Sequence, residues 1–359
     1  LSKLKIAVFF GGVSTEHEVS RWSAVHVIKS MDSKKFEAVL FEIAKDGSLW
    51  EYKNPGEFTD EFCNELVLGK NVLARTSVVF DSRMFKDRGI DVVFPVLHGT
   101  GGEDGVLQGF LDLCDIPYVG SGVAGSAVSF DKVFTKEILS LKGIRQARYR
   151  VLNTWSDKEN IFDDVEVNLG WPVFVKPANG GSSVGIYKAK DRKELAAAVA
   201  KAALYDRKVI IEEAIDGMEL ECAVVGGYEQ VKALGVGRII PCNEFYDYNA
   251  KYIDDDSEVI VPAGIDDAIA GEIMDMAVKS FKAVDAYGLA RVDFFLSRNG
   301  DIYLNEINTM PGFTRISMYP KLWRYAGGTD TELVDLLVDM AIERHKKYRF
   351  LKEYKPDEE

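Results

Sequence analysis

The segment RVDFFLSRNGDIYLNEIN, residues 291–308, constrains this chain more than any other stretch. Asn299-Gly300 separates two runs of alternating apolar residues. Asn-Gly is the strongest short-range hairpin signal, because a two-residue type I′ turn needs positive φ at both central positions. With those two residues as the turn, Arg298 faces Asp301, Asp293 faces Glu306 and Arg291 faces Asn308. Side chains alternate along a strand, so Arg291, Asp293, Glu306 and Asn308 share one face. Phe295 and Leu304 continue that face toward the turn. Val292, Phe294, Leu296, Tyr303, Asn305 and Ile307 take the other, largely apolar face. Two carboxylates opposed across a ladder lie ~5 Å apart at Cβ and repel. Arg291 can compensate them in a structural charge cluster. A hard divalent cation can do so too, and carboxylates plus an amide oxygen suit Mg²⁺ shared with phosphates. The hairpin alone leaves both readings standing.

Apolar runs alternate with helical patterns from the start: KIAVFFGG, a helix from about Ser14 with Trp22, Val25 and Ile28 on one stripe, then FEAVLFEIA and DVVFPVL. This order predicts an α/β fold opening with a parallel sheet, with ligands at the strand C-termini, where HGTGGEDG follows. A second unit begins near IPYVGSG and a third near Ile211, where VIIEEAIDGMELECAVV reads as two strands around Asp216-Gly217. The boundaries expected are 1–119, 120–211 and 212–359, and 359 residues suffice for such cores. A formal charge of −13 argues against a nucleic-acid or anionic-membrane surface. No apolar run approaches the ~18 residues of a membrane span, and KLKIAVFF reads as a buried strand rather than a signal peptide. The cysteines at 63, 114, 222 and 242 form no C-x-x-C pair and read as small buried hydrophobes in a reducing cytoplasm.

Two glycine-rich stretches compete as nucleotide cradles. GSGVAG, 120–125, matches a dinucleotide fingerprint, but the stretch after it is helical where an acidic residue ending a strand is required. No P-loop motif occurs. VFVKPANGGSSVGIYKA, 173–189, places Asn179 to Ser183 between two strand-like flanks. It reads either as a hairpin with a loose tip or as a flap whose backbone N–H groups close over phosphates, with Lys176 at its base.

These pieces combine with others in a fixed order: FFGGVSTEHEVS (9–20), VLHGTGGEDGVLQG (96–109), SFDK (129–132), VKPANGGSSVG (175–185), EFYDYNAKY (244–252) and NTMPGFTRISMYPKLW (308–323). Together with the hairpin they cover nearly the whole chain, which resembles the ATP-grasp ligases and, within them, the D-alanine–D-alanine ligase family. The resemblance implies a three-domain ATP-grasp fold, a parallel-sheet domain followed by two α+β domains clasping ATP. It implies a cytoplasmic homodimer built through the N-terminal domain, acting on D-alanine and ATP with two Mg²⁺ ions (Mn²⁺ as a substitute). The reaction implied activates one D-alanine as an acyl phosphate for attack by the amine of a second, in peptidoglycan precursor synthesis. A D-alanine–D-serine ligase of the same family is the nearest rival, and a non-catalytic nucleotide-binding protein the rival of a different class.

Carried over residue by residue, Asp293, Glu306 and Asn308 match the metal ligands, and Arg291 with the Gly312 N–H matches the oxyanion donors. Lys132 and Lys176 match phosphate-holding lysines, joined by Ser183 on the flap. Glu212, Glu213 and Ile215 fall where adenine is gripped, Glu219 at the ribose, Phe245 and Phe295 around the adenine ring, and Asn305 beside the nucleotide. Phe295 also reads as plain core. Position 213 is often basic in relatives, but its adenine contact is a backbone one. Glu16 matches the carboxylate that binds the first ammonium; without the resemblance it is an N-terminal helix acid. Ser182 and Tyr252 complete a trio with Glu16 that closes the site. Val19 bounds the first methyl pocket and His98 the first carboxyl end, while His17, His26 and His345 read as surface or helix residues. Lys251 and Ser317 grip the second carboxylate beside Met318, and the Lys251-Tyr252 pair favours an amine as second substrate. Arg315 and Arg21-Trp22 depart from the family's usual residues.

Overall fold

The computed structural model describes residues 2–53, 58–69, 73–155, 158–240 and 258–353, with side chains through 348. Its first sheet has the order β4-β3-β2-β1-β5. The parallel centre is β1 (Leu4–Gly11) between β2 (Phe36–Ile43) and β5 (Val92–Pro95). Beside it, β3 (Leu49–Tyr52) and β4 (Arg75–Val78) add on antiparallel, so the expected parallel sheet carries a mixed edge. Both are short, half-exposed strands whose alternation is too brief to read as strand from sequence.

The first helix runs His17–Ser30, and its buried stripe is Ser20, Ser23, Ala24, Val27 and Ile28. Of the expected stripe Ile28 is buried in the core and Val25 packs against it partly buried, whereas Trp22 is 37% exposed. Small residues win because they let the helix sit close to the sheet, where Ser20 Oγ accepts from Gly11 N and donates to Val96 O. Arg21 lies over the buried Glu42, which Arg75 and the Tyr52 hydroxyl also reach. His17 is buried in the same cluster, its Nδ1 donating to Gly12 O at 2.7 Å.

A second sheet, β6-β9-β7-β8, is antiparallel throughout: β6 (Tyr149–Asn153), β7 (Val173–Pro177), β8 (Tyr187–Ala189) and β9 (Lys208–Glu213). The β7–β8 hairpin carries the glycine-rich flap at its tip. The third sheet, β12-β11-β10-β13-β14, is built from β10 (Gly217–Gly226), β11 (Val231–Ile240), β12 (Glu258–Ile260), β13 (Gly288–Ser297) and β14 (Ile302–Asn308). Helix Asp267–Ala283 packs on one face through Ile273, Ala277 and Phe281, against Cys222, Val292 and Phe294. On the other face Ala223, Val225 and Leu289 join Phe313, Tyr319 and Leu333 in a core that continues into Ile6, Val8 and Phe10 of the first sheet. Each such side chain contributes about 1.5–3 kcal/mol on burial, so the first and third sheets share one apolar body.

GSGVAG forms no nucleotide cradle. Gly122 precedes the helix Val123–Phe130, and Gly125 lies against the Asp285 backbone, where no Cβ fits. Cys63 and Cys222 are buried as expected, Cys114 is only partly so, and Cys242 lies outside the described residues. Among the described residues no helix is long and apolar enough to cross a membrane.

Candidate functional site

The 291–308 hairpin differs from its sequence reading by two offsets that cancel. Ser297 N bonds Asp301 O at 2.9 Å, so the turn is the three residues 298–300, with only Gly300 at positive φ. A three-residue loop ending in a left-handed glycine is the next standard hairpin solution. A bulge then restores the register: Phe294 pairs with Leu304, but Asp293 pairs with Glu306 and Arg291 with Asn308. Asn305 is the extra residue. The bulge corrects three face assignments: Leu304 is core, whereas Tyr303 and Asn305 turn to the Glu306 side. Arg291 holds Asp293 through two bonds of 2.7 Å, and Asn308 Nδ2 donates to Asp293 at 3.0 Å. Across β10, Glu221 reaches Arg291 at 3.3 Å. Burial opposes the Arg291 charge, yet Asp293 and Glu221 raise its pKa well above the ordinary value.

Two adjoining cavities meet at this ribbon. The larger, about 640 Å³, opens between β7, β9 and the third sheet; Lys176, Ser183, Glu213, Ile215, Glu219 and Phe295 are among its walls. The smaller, about 390 Å³, is lined by Glu16, His98, Arg291, Gly312, Ser317 and Lys321 among others. Lys132, Gly180, Ser182 and Glu306 border both. Lys132 is placed by its own helix start. Asp131 caps the helix Lys132–Leu141 by accepting from Val133 N and Phe134 N, and its other oxygen pairs with Lys208 at 2.6 Å. Lys132 Nζ then donates to Gly180 O at 2.8 Å and faces Glu306 at 3.7 Å.

The flap bends through consecutive left-handed residues, Ser182 and Ser183. Ser182 Oγ donates to Glu16, and Gly181 passes so close to that carboxylate that a Cβ would collide with it. At the back of the larger cavity Glu212 is 3% exposed. It takes Lys176 Nζ at 2.7 Å on one oxygen and faces Lys136 Nζ at 3.2 Å on the other. Burial opposes its charge, but the two ammonium groups bring its pKa down to about 2. Lys136, which also lies over the Tyr149 ring and makes no well-angled hydrogen bond among the described residues, is pushed down by burial. Lys176 also donates to Asn305 Oδ1 at 3.4 Å. Glu213 bonds Arg148 through both side chain and backbone, which accounts for an acid at this position.

His98 borders the smaller cavity with both ring nitrogens engaged. Its Nδ1 donates to Met310 O at 2.9 Å, so its Nε2 accepts from Ser23 Oγ at 2.9 Å. Ser23 Oγ in turn accepts from Phe313 N at 3.2 Å. Burial lowers the His98 pKa, in keeping with this neutral form. His98 therefore ties the 309–317 loop to the first sheet and keeps no ring nitrogen spare for a substrate.

Residues 5–121 match the family described as D-ala D-ala ligase N-terminus, and residues 138–339 that described as D-ala D-ala ligase C-terminus. The chain belongs to the D-alanine–D-alanine ligase family. It is 46% identical to the D-alanine–D-alanine ligase of Acetivibrio thermocellus, over 98% of this chain and 99% of that one. With that of Caldicellulosiruptor bescii it shares 45% over 98% and 99%. Among solved structures it superposes on the D-alanine-D-alanine ligase from Coxiella burnetii with TM-score 0.83 and 33% identity, covering 98% of each chain. The VanG D-Ala:D-Ser ligase from Enterococcus faecalis gives TM-score 0.83 and 35% identity, over 95% of this chain and all of that one.

This ligase-family chain brings most of the expected residues to the two cavities. Asp293 sits between Arg291 and Asn308 just behind the wall, whereas Met318 lines the smaller cavity, packed beneath Gly237. Val19 is buried away from the lining. Phe245, Lys251 and Tyr252 lie outside the described residues. Arg315 is exposed and absent from both linings, whereas Trp22 stands at the smaller cavity. Sequence reasoning missed Glu221, Glu103, Lys136 and Lys321. Glu221 was within reach, since it follows Glu219 by two residues on one strand face. Glu103 is a buried carboxyl that accepts from Gly99 N at 2.9 Å. Burial first, and the neighbouring Glu16 charge second, push its pKa up to about 8.

Proposed function

We propose that the larger cavity binds ATP, the smaller binds two D-alanines, and the chain joins them through an acyl phosphate. Family membership carries the outcome: the enzyme is a D-alanine–D-alanine ligase, forming D-alanyl-D-alanine for peptidoglycan synthesis. The observation that supports the residue roles is the shared border of the two cavities, where Lys132, Ser182 and Glu306 meet.

A carboxylate is a poor electrophile, so one D-alanine carboxylate oxygen takes the γ-phosphoryl group and ADP leaves. The second D-alanine's amine attacks the acyl carbon and gives up a proton. The tetrahedral intermediate expels inorganic phosphate as the peptide bond forms. Phosphoryl transfer of this kind asks for positioning and charge neutralisation more than covalent help. Lys132 and Lys176 hold phosphates, with the Ser183 end of the flap above them. The carboxylate of Glu212 accepts from the adenine amine, Glu213 and Ile215 offer backbone groups, Glu219 takes the ribose, and Phe295 lies against the ring. Glu16 receives the first ammonium, Ser182 closing over it. Arg291 and the Gly312 N–H face the oxyanion; fixed donors there are often the largest catalytic contribution.

The opposed pair Asp293 and Glu306, with Asn308 alongside, fits Mg²⁺. Among the described residues no three His, Cys, Asp or Glu gather into a closed metal cage. An open set is what Mg²⁺ shared with phosphates uses. Asp293, Glu306 and Asn308 would hold the Mg²⁺, whose charge would offset that of the phosphates; Arg291 and Lys132 balance these carboxylates here. We also read the chain as a homodimer through its first sheet. Val106, Phe110 and Leu113 line one stripe of the helix Val106–Leu113, with Phe80 against Phe110, and Val106 and Leu113 are exposed.

The deciding assay measures ADP release and product identity with D-alanine as first substrate and D-alanine, D-serine or D-lactate as second. D-Alanyl-D-alanine is the expected main product, and Glu306→Gln loses Mg²⁺-dependent turnover. Preferential D-alanyl-D-serine would replace this reading with the second one that the VanG likeness supports. Unaltered turnover in Glu306→Gln would remove the metal assignment.

A further inference from the structure

The smaller cavity is lined by acidic side chains, Glu16, Glu103, Glu221 and Glu306, and by three cationic ones, Lys132, Arg291 and Lys321. Lys132 faces Glu306, and Arg291 is held by Asp293 and Glu221. Lys321 differs. Among the described residues no carboxylate pairs with it, and the only charged group acting on it is another cation, Arg324. Arg324 is itself bound to Asp330 at 3.0 Å. Burial, then Arg324, push the Lys321 ammonium below its ordinary pKa. An anion is therefore the complement this corner of the cavity lacks.

The position of Lys321 says which anion. It lies in the helix Met318–Tyr325, one turn beyond Ser317, and its N–H bonds Ser317 O at 3.3 Å. Helical side chains lean back toward the N-terminus, so a long side chain at 321 covers the turn over Ser317. Ser317, Gly312 and Arg291 border the same space. On the proposed function, the first D-alanine's carboxylate becomes the acyl phosphate and is consumed. The acceptor's carboxylate is the anion that persists from binding to product.

We propose that Lys321 binds the carboxylate of the second amino acid and makes the enzyme select acceptors that carry a free carboxylate. The assignment rests on the ligase reading. A charge-assisted contact of this kind changes affinity by roughly 10- to 100-fold.

The test compares D-alanine with D-alaninamide as acceptor, D-alanine being the donor throughout, in wild type, Lys321→Met, Lys321→Gln and Lys321→Arg. Both neutral variants keep most of the aliphatic stem, so either one suffices if the other fails to fold. The expected result for them is a roughly 10- to 100-fold rise in KM for acceptor D-alanine. Their kcat and KM for ATP hold, and D-alaninamide kinetics do not change. Lys321→Arg keeps most of the wild-type preference. Equal losses on both acceptors would show a scaffold role and overturn the assignment, as would an unchanged acceptor KM. Wild type forming no dipeptide from any acceptor would instead strike the ligase reading, and this proposal with it.

Discussion

Glu212→Gln tests whether the back wall of the larger cavity is an electrostatic unit. Glu212 is buried between Lys176 and Lys136, at 2.7 and 3.2 Å, and Lys136 is 1% exposed. Glutamine keeps the shape and removes the charge, leaving the Lys136 ammonium in the interior with no counter-ion. Breaking a buried pair from one side costs about 3–5 kcal/mol. A second route gives a similar figure: a carboxyl held at about 2 against an ordinary 4.5 corresponds to about 3 kcal/mol at neutral pH. At a urea slope of about 1–3 kcal/mol/M, the midpoint of the transition that melts β9 falls by roughly 1–3 M. Because the folded pKa is depressed, this stabilisation is complete above pH 4.5 and is lost as pH falls toward 2. Glu212→Gln lacks that acid slope. Adding Lys136→Met removes the orphaned ammonium, so the double variant is more stable than Glu212→Gln alone. Nucleotide-free equilibrium unfolding between pH 3 and 8 reads all three outcomes. A loss under about 1 kcal/mol, or strictly additive single changes, would refute the reasoning.

Arg291→Met removes the proposed oxyanion donor and is expected to lower kcat by about 10²–10³ with a smaller effect on KM for ATP, read by initial rates at saturating substrate. Glu103 supplies a pH test of opposite sign. Its folded pKa of about 8 lies above the ordinary 4.5, so its stabilisation is present below pH 4.5 and is lost as pH rises through 8. The stability of wild type minus that of Glu103→Gln, from unfolding at several pH values, should fall across that window and level off above it.

The 309–317 loop shows how the first sheet positions a segment that follows the third. Phe313 is fully buried against Phe94 at 5.9 Å, and Ser23 and His98 fix Phe313 N and Met310 O on either side of Gly312. The Gly312 N–H is thereby oriented by residues distant in the chain, 212 positions for the His98–Met310 bond and 290 for the Ser23–Phe313 bond, held by packing and by satisfied hydrogen bonds. A buried neutral histidine suits this task, since it donates on one side and accepts on the other without carrying charge into the core.

The sequence by itself determined the parallel strands β1, β2 and β5, the pairing of Asp293 with Glu306 and of Arg291 with Asn308, and the flap on its β7–β8 hairpin. These are readable because alternation and turn chemistry act between near neighbours. The tertiary structure decided what near neighbours cannot encode. The three-residue turn and the Asn305 bulge are offsets of opposite sign, so only a folded sheet, with Leu304 claimed by the core, distinguishes them from a plain ladder. Glu212 gains its character from lysines at 136 and 176, on a helix and on another strand. His98 has its nitrogens taken by residues 23 and 310, and Lys321 stands out only once every other cation around the cavity is seen to be paired. Burial and charge pairing are set by which distant segments meet, and that is a property of the packed chain.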